Sequence, residues 1–266
     1  MAADPSVALT IAAHDPLGGA GLAADLTTFA ALGVHGTVAV TAVTAQRFGS
    51  VDRVDATALD LLAAQLDGIV ASLPIAAVKV GLLGSAEAVD LVADRVASGQ
   101  LPAPVVDPVL VDGRGDRFVG SDIEAAMRER LFPLAAVITP NLGEVAVLTG
   151  ATVATPADVE VASDRLVALG AGLVIATGGA APGDLAVDVA ITADGAVTRI
   201  EAPWIDTPHV RGSGCTFAAA TTAGLALGDE PLEAVTRAKR FVSERLDASR
   251  WTDIAGPGPV AHWIDR

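Results

Sequence analysis

The chain has 266 residues and a formal charge of −15, with 17 Lys and Arg against 32 Asp and Glu. Such a surface repels nucleic acid and anionic lipid, and no basic run offsets it, so an anionic ligand needs local devices such as helix N-termini, backbone amides or a metal ion. One cysteine and four scattered histidines exclude an intrachain disulfide and argue against a Cys/His metal cluster.

The N-terminal MAADPSVALTIAAHD has no basic segment before its apolar run, so no export signal is expected and the cytoplasm is the expected compartment. VALTIAA (7–13) predicts a strand, followed by a Gly-rich turn and a helix over 23–33 with Leu26, Phe29, Ala30 and Leu32 mostly on one face. TVAVTAVTA (37–45) predicts a second strand. Leu62, Leu66, Ile69 and Leu73 mark a helix over 59–73, and AAVKVGLL (76–83) a third strand. A helix over 85–98 starts at a Ser85 cap. PVVDPVLV (104–111), AAVITPN (135–141) and GLVIATGG (172–179) predict further buried strands. The alternating runs of 185–203 around Ala193-Asp194-Gly195 predict a β-hairpin. The uncharged stretches 26–46 and 166–183 are interrupted by Thr and Gln or by Gly and Pro, which makes neither a continuous lipid-facing helix.

Apolar strands separated by helices predict an α/β fold, a three-layer α/β/α sandwich with a mostly parallel central sheet, in one domain spanning 1–266. Ligands in such sheets sit beyond the carboxyl ends of the strands. Gly19-Ala20-Gly21-Leu22-Ala23-Ala24 fits a dinucleotide fingerprint only loosely, since the second strand ends in Thr44-Ala45-Gln46 where a ribose-binding acid belongs. No Walker-type P-loop occurs. Asp107 stands at a strand end. Asn141 and Glu144 have the spacing of a helix cap, and the three together also suit Mg²⁺ coordination by oxygen; both readings stand. Gly212, Ser213 and Gly214 leave amides free at a helix start, an anion cradle without side-chain charge. Cys215 sits in the same positive field, which favours its thiolate and a role as base; the alternative is a small, well-packed core residue.

With these residues in view, the chain resembles the hydroxymethylpyrimidine and phosphomethylpyrimidine kinases of thiamine biosynthesis, within the ribokinase-like superfamily. The resemblance runs from ALTIAAHDPLGGAGLAADLTTFAALGVHG through VTAVTAQ, VKVGLLG, VVDPVLVDGRGDRFV and VITPNLGEVAVLTG to GSGCT and GPGPVAHW. It implies ATP- and Mg²⁺-dependent phosphorylation of 4-amino-5-hydroxymethyl-2-methylpyrimidine, its monophosphate, or both. It places Asp25 and Gln46 on the pyrimidine, Leu82 and Val109 as apolar walls, Asp107 and Glu144 at the metal, and Asn141, Thr177 and Gly179 at the nucleotide. Gly212 to Gly214 match the anion hole, Cys215 the proposed base, and 112–120 a flap. It also implies a homo-oligomer, a dimer by analogy. The departures are Ala13 and His14 where the family commonly has Gly and Ser or Thr, Arg47 for the usual Asn, and Thr177 and Ala180 for the usual Lys and His. A phosphate-facing cation is thereby missing, a loss worth about 10²–10³ in rate, which Arg47 or Arg211 would have to offset. Lys79, within a strand, reads as structural. The departures leave two further readings: a kinase of a pyridoxal-type alcohol, and a pyrimidine-binding protein with little turnover.

Overall fold

The computed structural model describes residues 4–111, 117, 119–178, 184–254 and 256–262. Strands β1 (Val7–His14), β2 (His35–Arg47), β3 (Ser50–Ala56), β4 (Ile75–Val80), β5 (Val105–Val106), β6 (Val137–Ile138), β7 (Leu173–Ala176), β8 (Leu185–Thr192) and β9 (Val197–Pro203) form one sheet in the order β3-β2-β1-β4-β5-β6-β7-β8-β9. From β2 to β7 the pairings are parallel, while β3, β8 and β9 are antiparallel. The helices are α1 (Gly21–Ala31), α2 (Leu59–Ser72), α3 (Ala86–Ala97), α4 (Ser121–Ala126), α5 (Leu142–Thr149), α6 (Pro156–Val161), α7 (Ser163–Val167), α8 (Ser213–Ala226) and α9 (Pro231–Asp247).

Strand residues alternate between two cores, which is why the runs read as continuously apolar. Leu9, Ile11, Val78, Val80, Val106, Ile138 and Val174 face α2, α3 and the 121–167 helices. Val105, Val137, Leu173 and Ile175 face α8 and α9, and Ala8 and Ala77 face α1 and α8. The predicted α/β/α layering is what forms.

α8 lies under the sheet with Thr216 through Gly224 all buried, so it has no polar side. Its hydroxyls are satisfied within the helix: Thr221 donates to the Phe217 carbonyl and Thr222 to that of Ala218. Small side chains let neighbouring helices approach; a Cβ on Gly224 would stand 3.0 Å from that of Ala234 in α9.

Two departures from the predicted elements bear on the site. Residues 104–111 form only a two-residue strand, because Pro104 and Pro108 lack the N–H a longer ladder requires. β3 is unpredicted: every residue in it is exposed, so its sequence carries no buried alternation to read. Its hairpin with β2 turns at Phe48-Gly49, with Gly49 at φ +85°. β1 lies between β2 and β4, so the chain leaves it in both directions, and the loops beyond the strand ends diverge there into a crevice.

Candidate active site

A cavity of about 460 Å³ opens at that crevice, lined by Ala12 to Asp15 after β1, Thr44 and Gln46 of β2, and Gly49 to Val51 of the hairpin. Lys79, Gly81, Leu82, Val109, Ala20, Gly21, Arg211 and Cys215 complete it. Ala13, His14, Gln46, Leu82, Val109 and Cys215, six residues picked from the sequence, therefore meet in one space. The Gln46 carboxamide has no hydrogen-bond partner among the described residues, so its donor and acceptor remain available. Arg47 turns away, 3.2 Å from Asp52 and hydrogen-bonded to Ser50 on the exposed hairpin.

Asp25 is not on the wall. It is fully buried in α1, with Thr10 donating to it at 2.6 Å and Lys79 Nζ at 2.6 Å from its other oxygen. Lys79 lines the cavity and Asp25 does not, so the acid expected on the pyrimidine stands behind a lysine that it holds. Lys79, read from the sequence as structural, forms a fully buried ion pair and also lines the cavity. A lysine in an otherwise apolar buried strand was itself the signal, since unpaired lysines are almost never fully buried. Burial works against its charge, but Asp25, Cys215 and Asp107 outweigh that, and its pKa is raised. Burial also raises the carboxyls of Asp25 and Asp107.

Cys215 is in the first turn of α8, and the Gly21 amide points at its sulfur. The expected thiolate is not what this setting favours. Burial, with Asp107 and Asp25 adding to it against Lys79, pushes the thiol up to about 12, so at neutral pH Cys215 carries its proton and donates it to Asp107. The helix N-terminus is outweighed by desolvation and two acids.

The glycine loop is packed tightly. Gly212 has φ +78°, and a Cβ there would stand 1.8 Å from the Gly19 carbonyl oxygen. The Gly21 equivalent would stand 2.3 Å from the carbonyl oxygen of Ala13. Of the Gly212, Ser213 and Gly214 amides expected to form an anion hole, that of Ser213 donates to Val210 at 3.1 Å, and those of Gly212 and Gly214, with that of Cys215 beside them, have no protein acceptor among the described residues. Residues 212–214 border the cavity through Cys215 rather than lining it.

Asn141 caps α5 in a full capping box with Glu144, the structural alternative the sequence allowed. Glu144 also accepts from the Leu110 amide at 3.0 Å. That amide is presented by a backbone strained at Val109, the only described non-glycine residue with positive φ, at 39°. Burial, followed by the Asp107 carboxylate, pushes Glu144 up to about 8. Thr177 bridges to Asn141, its amide donating to Pro140 at 2.9 Å. Neither Asn141 nor Thr177 lines the acceptor cavity. Gly179, Ala180 and most of the 112–120 flap lie outside the described residues.

A family model described as phosphomethylpyrimidine kinase matches residues 15–261. This chain belongs to the phosphomethylpyrimidine kinase family. It is 43% identical over 258 residues to the hydroxymethylpyrimidine/phosphomethylpyrimidine kinase of Synechococcus elongatus, covering 97% of each chain. It is 39% identical over 260 residues to the enzyme of that name from Rhizobium meliloti, again covering 97% of each. Its structure superposes on the pyridoxal kinase of Staphylococcus aureus in complex with ADP, with a TM-score of 0.89, 34% identity and coverage of 98% of this chain and 94% of that one.

In this member of the phosphomethylpyrimidine kinase family, the Mg²⁺ that the resemblance implies would meet Asp107 and Glu144, two buried carboxyls that repel each other. Such a pair suits a hydrated Mg²⁺ carried on nucleotide phosphates. Both Glu144 oxygens already accept amides, and no cluster of three or more His, Cys, Asp or Glu side chains that could hold a metal exists among the described residues. The fit is therefore to a metal held through water. What the sequence did not reveal is the Asp15–Arg211 pair, 2.9 Å apart across 196 residues, with both partners on the cavity wall. No helix among the described residues is long and apolar enough to cross a membrane.

Proposed function

We propose that this chain transfers the γ-phosphoryl group of ATP to the hydroxymethyl oxygen of an aminopyrimidine alcohol, or to the phosphate of its monophosphate, in the pyrimidine branch of thiamine synthesis. The observation that carries this reading is the single cavity in which an unpartnered carboxamide, two apolar walls and the start of α8 meet. Gln46 offers a donor and an acceptor together, the pattern an aminopyrimidine edge requires, while Leu82 and Val109 flank the ring. Cys215 and Asp107 act as one hydrogen-bonded proton acceptor: the sulfur takes the hydroxyl proton as its own proton passes to the carboxylate. The amides of Gly214 and Cys215 face the developing phosphoryl charge. Asn141 and Thr177 stand at the nucleotide side. Mg²⁺, when bound with ATP, neutralises phosphate charge.

His14 on the wall and the likeness to a pyridoxal kinase support a second reading, a pyridoxal-type acceptor. An assay of ATP consumption over both alcohols, resolving monophosphate from diphosphate products, decides between them. Preference for the aminopyrimidine rejects the second, preference for pyridoxal rejects the first, and binding without ADP formation rejects both in favour of a ligand-binding protein. A homodimer is also proposed, because β3 presents an exposed edge with Val51 and Val54 exposed beside Val43. Light scattering tests it; a monomer at micromolar concentration would refute it.

A further inference from the structure

Arg211 is held at more points than a surface arginine needs. Its amide donates to Gly258 at 3.3 Å, and its carbonyl accepts from Val260 at 3.0 Å, so the segment 256–262 straps its backbone from both sides. The strap is itself fastened. Trp251 Nε1 donates to the Pro259 carbonyl at 2.8 Å, and the Gly258 amide donates to His209 Nδ1 at 3.0 Å. His262 Nε2 lies 2.8 Å from the Thr216 hydroxyl, one residue beyond Cys215. The same hydroxyl lies 2.8 Å from the Gly212 carbonyl.

The side chain is as firmly placed. Nη2 meets Asp15 at 2.9 Å, and Asp15 is locked in turn by the Leu17 amide at 2.9 Å. The Nε hydrogen is shut away from solvent and has no partner among the described residues. Buried guanidinium N–H groups seldom stay unpaired, and a site that leaves one open is completed by a ligand or a water. Among the described residues, the other lysine and arginine near the site are committed: Lys79 to Asp25, and Arg47 to Asp52 on the hairpin.

We infer that Arg211 is a specificity-determining residue that receives the phosphate of an acceptor already phosphorylated once. The inference rests on the kinase reading above. The choice of the acceptor's phosphate over the nucleotide's follows from the walls: Arg211 shares its cavity with Gln46, Leu82 and Val109, whereas Asn141 and Thr177 lie outside it. Asp15 cancels the charge of Arg211, so recognition comes from directed N–H donors and not from a general positive field, which suits a strongly acidic chain.

The test compares both acceptors in Arg211→Met and the unaltered protein. The expected result is a fall of about 10–100-fold in kcat/KM for the monophosphate, the range for losing a charge-assisted hydrogen bond, with less than about threefold change for the free alcohol and for KM of ATP. Equal losses on both acceptors, or none on either, overturn the inference. If Arg211→Met does not fold, inorganic phosphate added to the unaltered protein gives an independent reading. It should compete with the monophosphate and not with ATP; competition with ATP alone overturns the assignment. An unaltered protein that turns over neither alcohol removes the kinase reading itself, and this inference with it.

Discussion

Replacing Lys79 by methionine keeps the length of the side chain and removes its charge, leaving Asp25 fully buried with only the Thr10 hydroxyl at 2.6 Å. Breaking one side of a buried ion pair costs about 3–5 kcal/mol, because the remaining charge is stranded in a low-dielectric interior. Against a total stability of about 5–15 kcal/mol, that is roughly a fifth or more of what holds the fold. At roughly 2–4 °C per kcal/mol for a chain of this size class, the melting temperature should drop by on the order of 10 °C. Urea denaturation followed by tryptophan fluorescence measures it directly. The penalty should shrink as pH falls, since an Asp25 without its cation accepts a proton and ceases to be a buried charge. Converting the pair together, Lys79→Met with Asp25→Leu, should recover most of the loss, because it removes both charges from the same apolar site. A single variant within about 1 kcal/mol of the parent at neutral pH, with no pH dependence of the difference, would refute the claim that this pair is desolvated and coupled.

Cys215 should react with maleimide about 10³-fold more slowly than an ordinary thiol at neutral pH, because its pKa is pushed from 9.0 to about 12 and the thiolate is the reacting form; reaction at the ordinary rate would show that the sulfur is not held as a thiol. Gly212→Ala should abolish turnover and lower stability by at least about 2 kcal/mol, since the new methyl collides with the Gly19 carbonyl at a positive φ; a stable, active variant would mean that the two loops part freely. Burial, and then the Arg245 guanidinium, lowers His262 from 6.5 to about 4, so the unfolded chain binds its proton first and the stability its neutral form contributes is lost as pH falls through that window. His262→Gln should therefore lose less stability than the parent between pH 6.5 and 4, and parallel curves would reject a buried neutral histidine.

The layered architecture was legible because both faces of the sheet are covered. Leu9, Val78, Val106 and Ile138 go to one core and their strand neighbours to the other, and that geometry demands the continuous apolar runs seen in the sequence. β3 was illegible for the opposite reason: with all seven residues exposed it is specified by pairing with β2, not by burial. The capping box of Asn141 and Glu144 is local, closing over three residues, and its spacing offered it as one of two readings. Cys215 was read from its helix start, while Gln46, Leu82 and Val109 were assigned through the family resemblance, and their convergence follows from strand order.

What the tertiary structure alone decided is the electrostatics of the site. Asp25 and Lys79 are 54 positions apart, and Asp15 and Arg211 are 196 apart. Nothing in the local sequence says that one carboxylate withdraws under a lysine while the other anchors an arginine. The protonation of Cys215 is of the same kind. Its helix start, readable from Gly-Ser-Gly, favours the thiolate, and only the packing that brings Asp107 and Asp25 beside it in a buried wall reverses that preference. Periodicity records which residues leave water; it does not record which charges then meet, and in a medium of low dielectric those meetings set the chemistry.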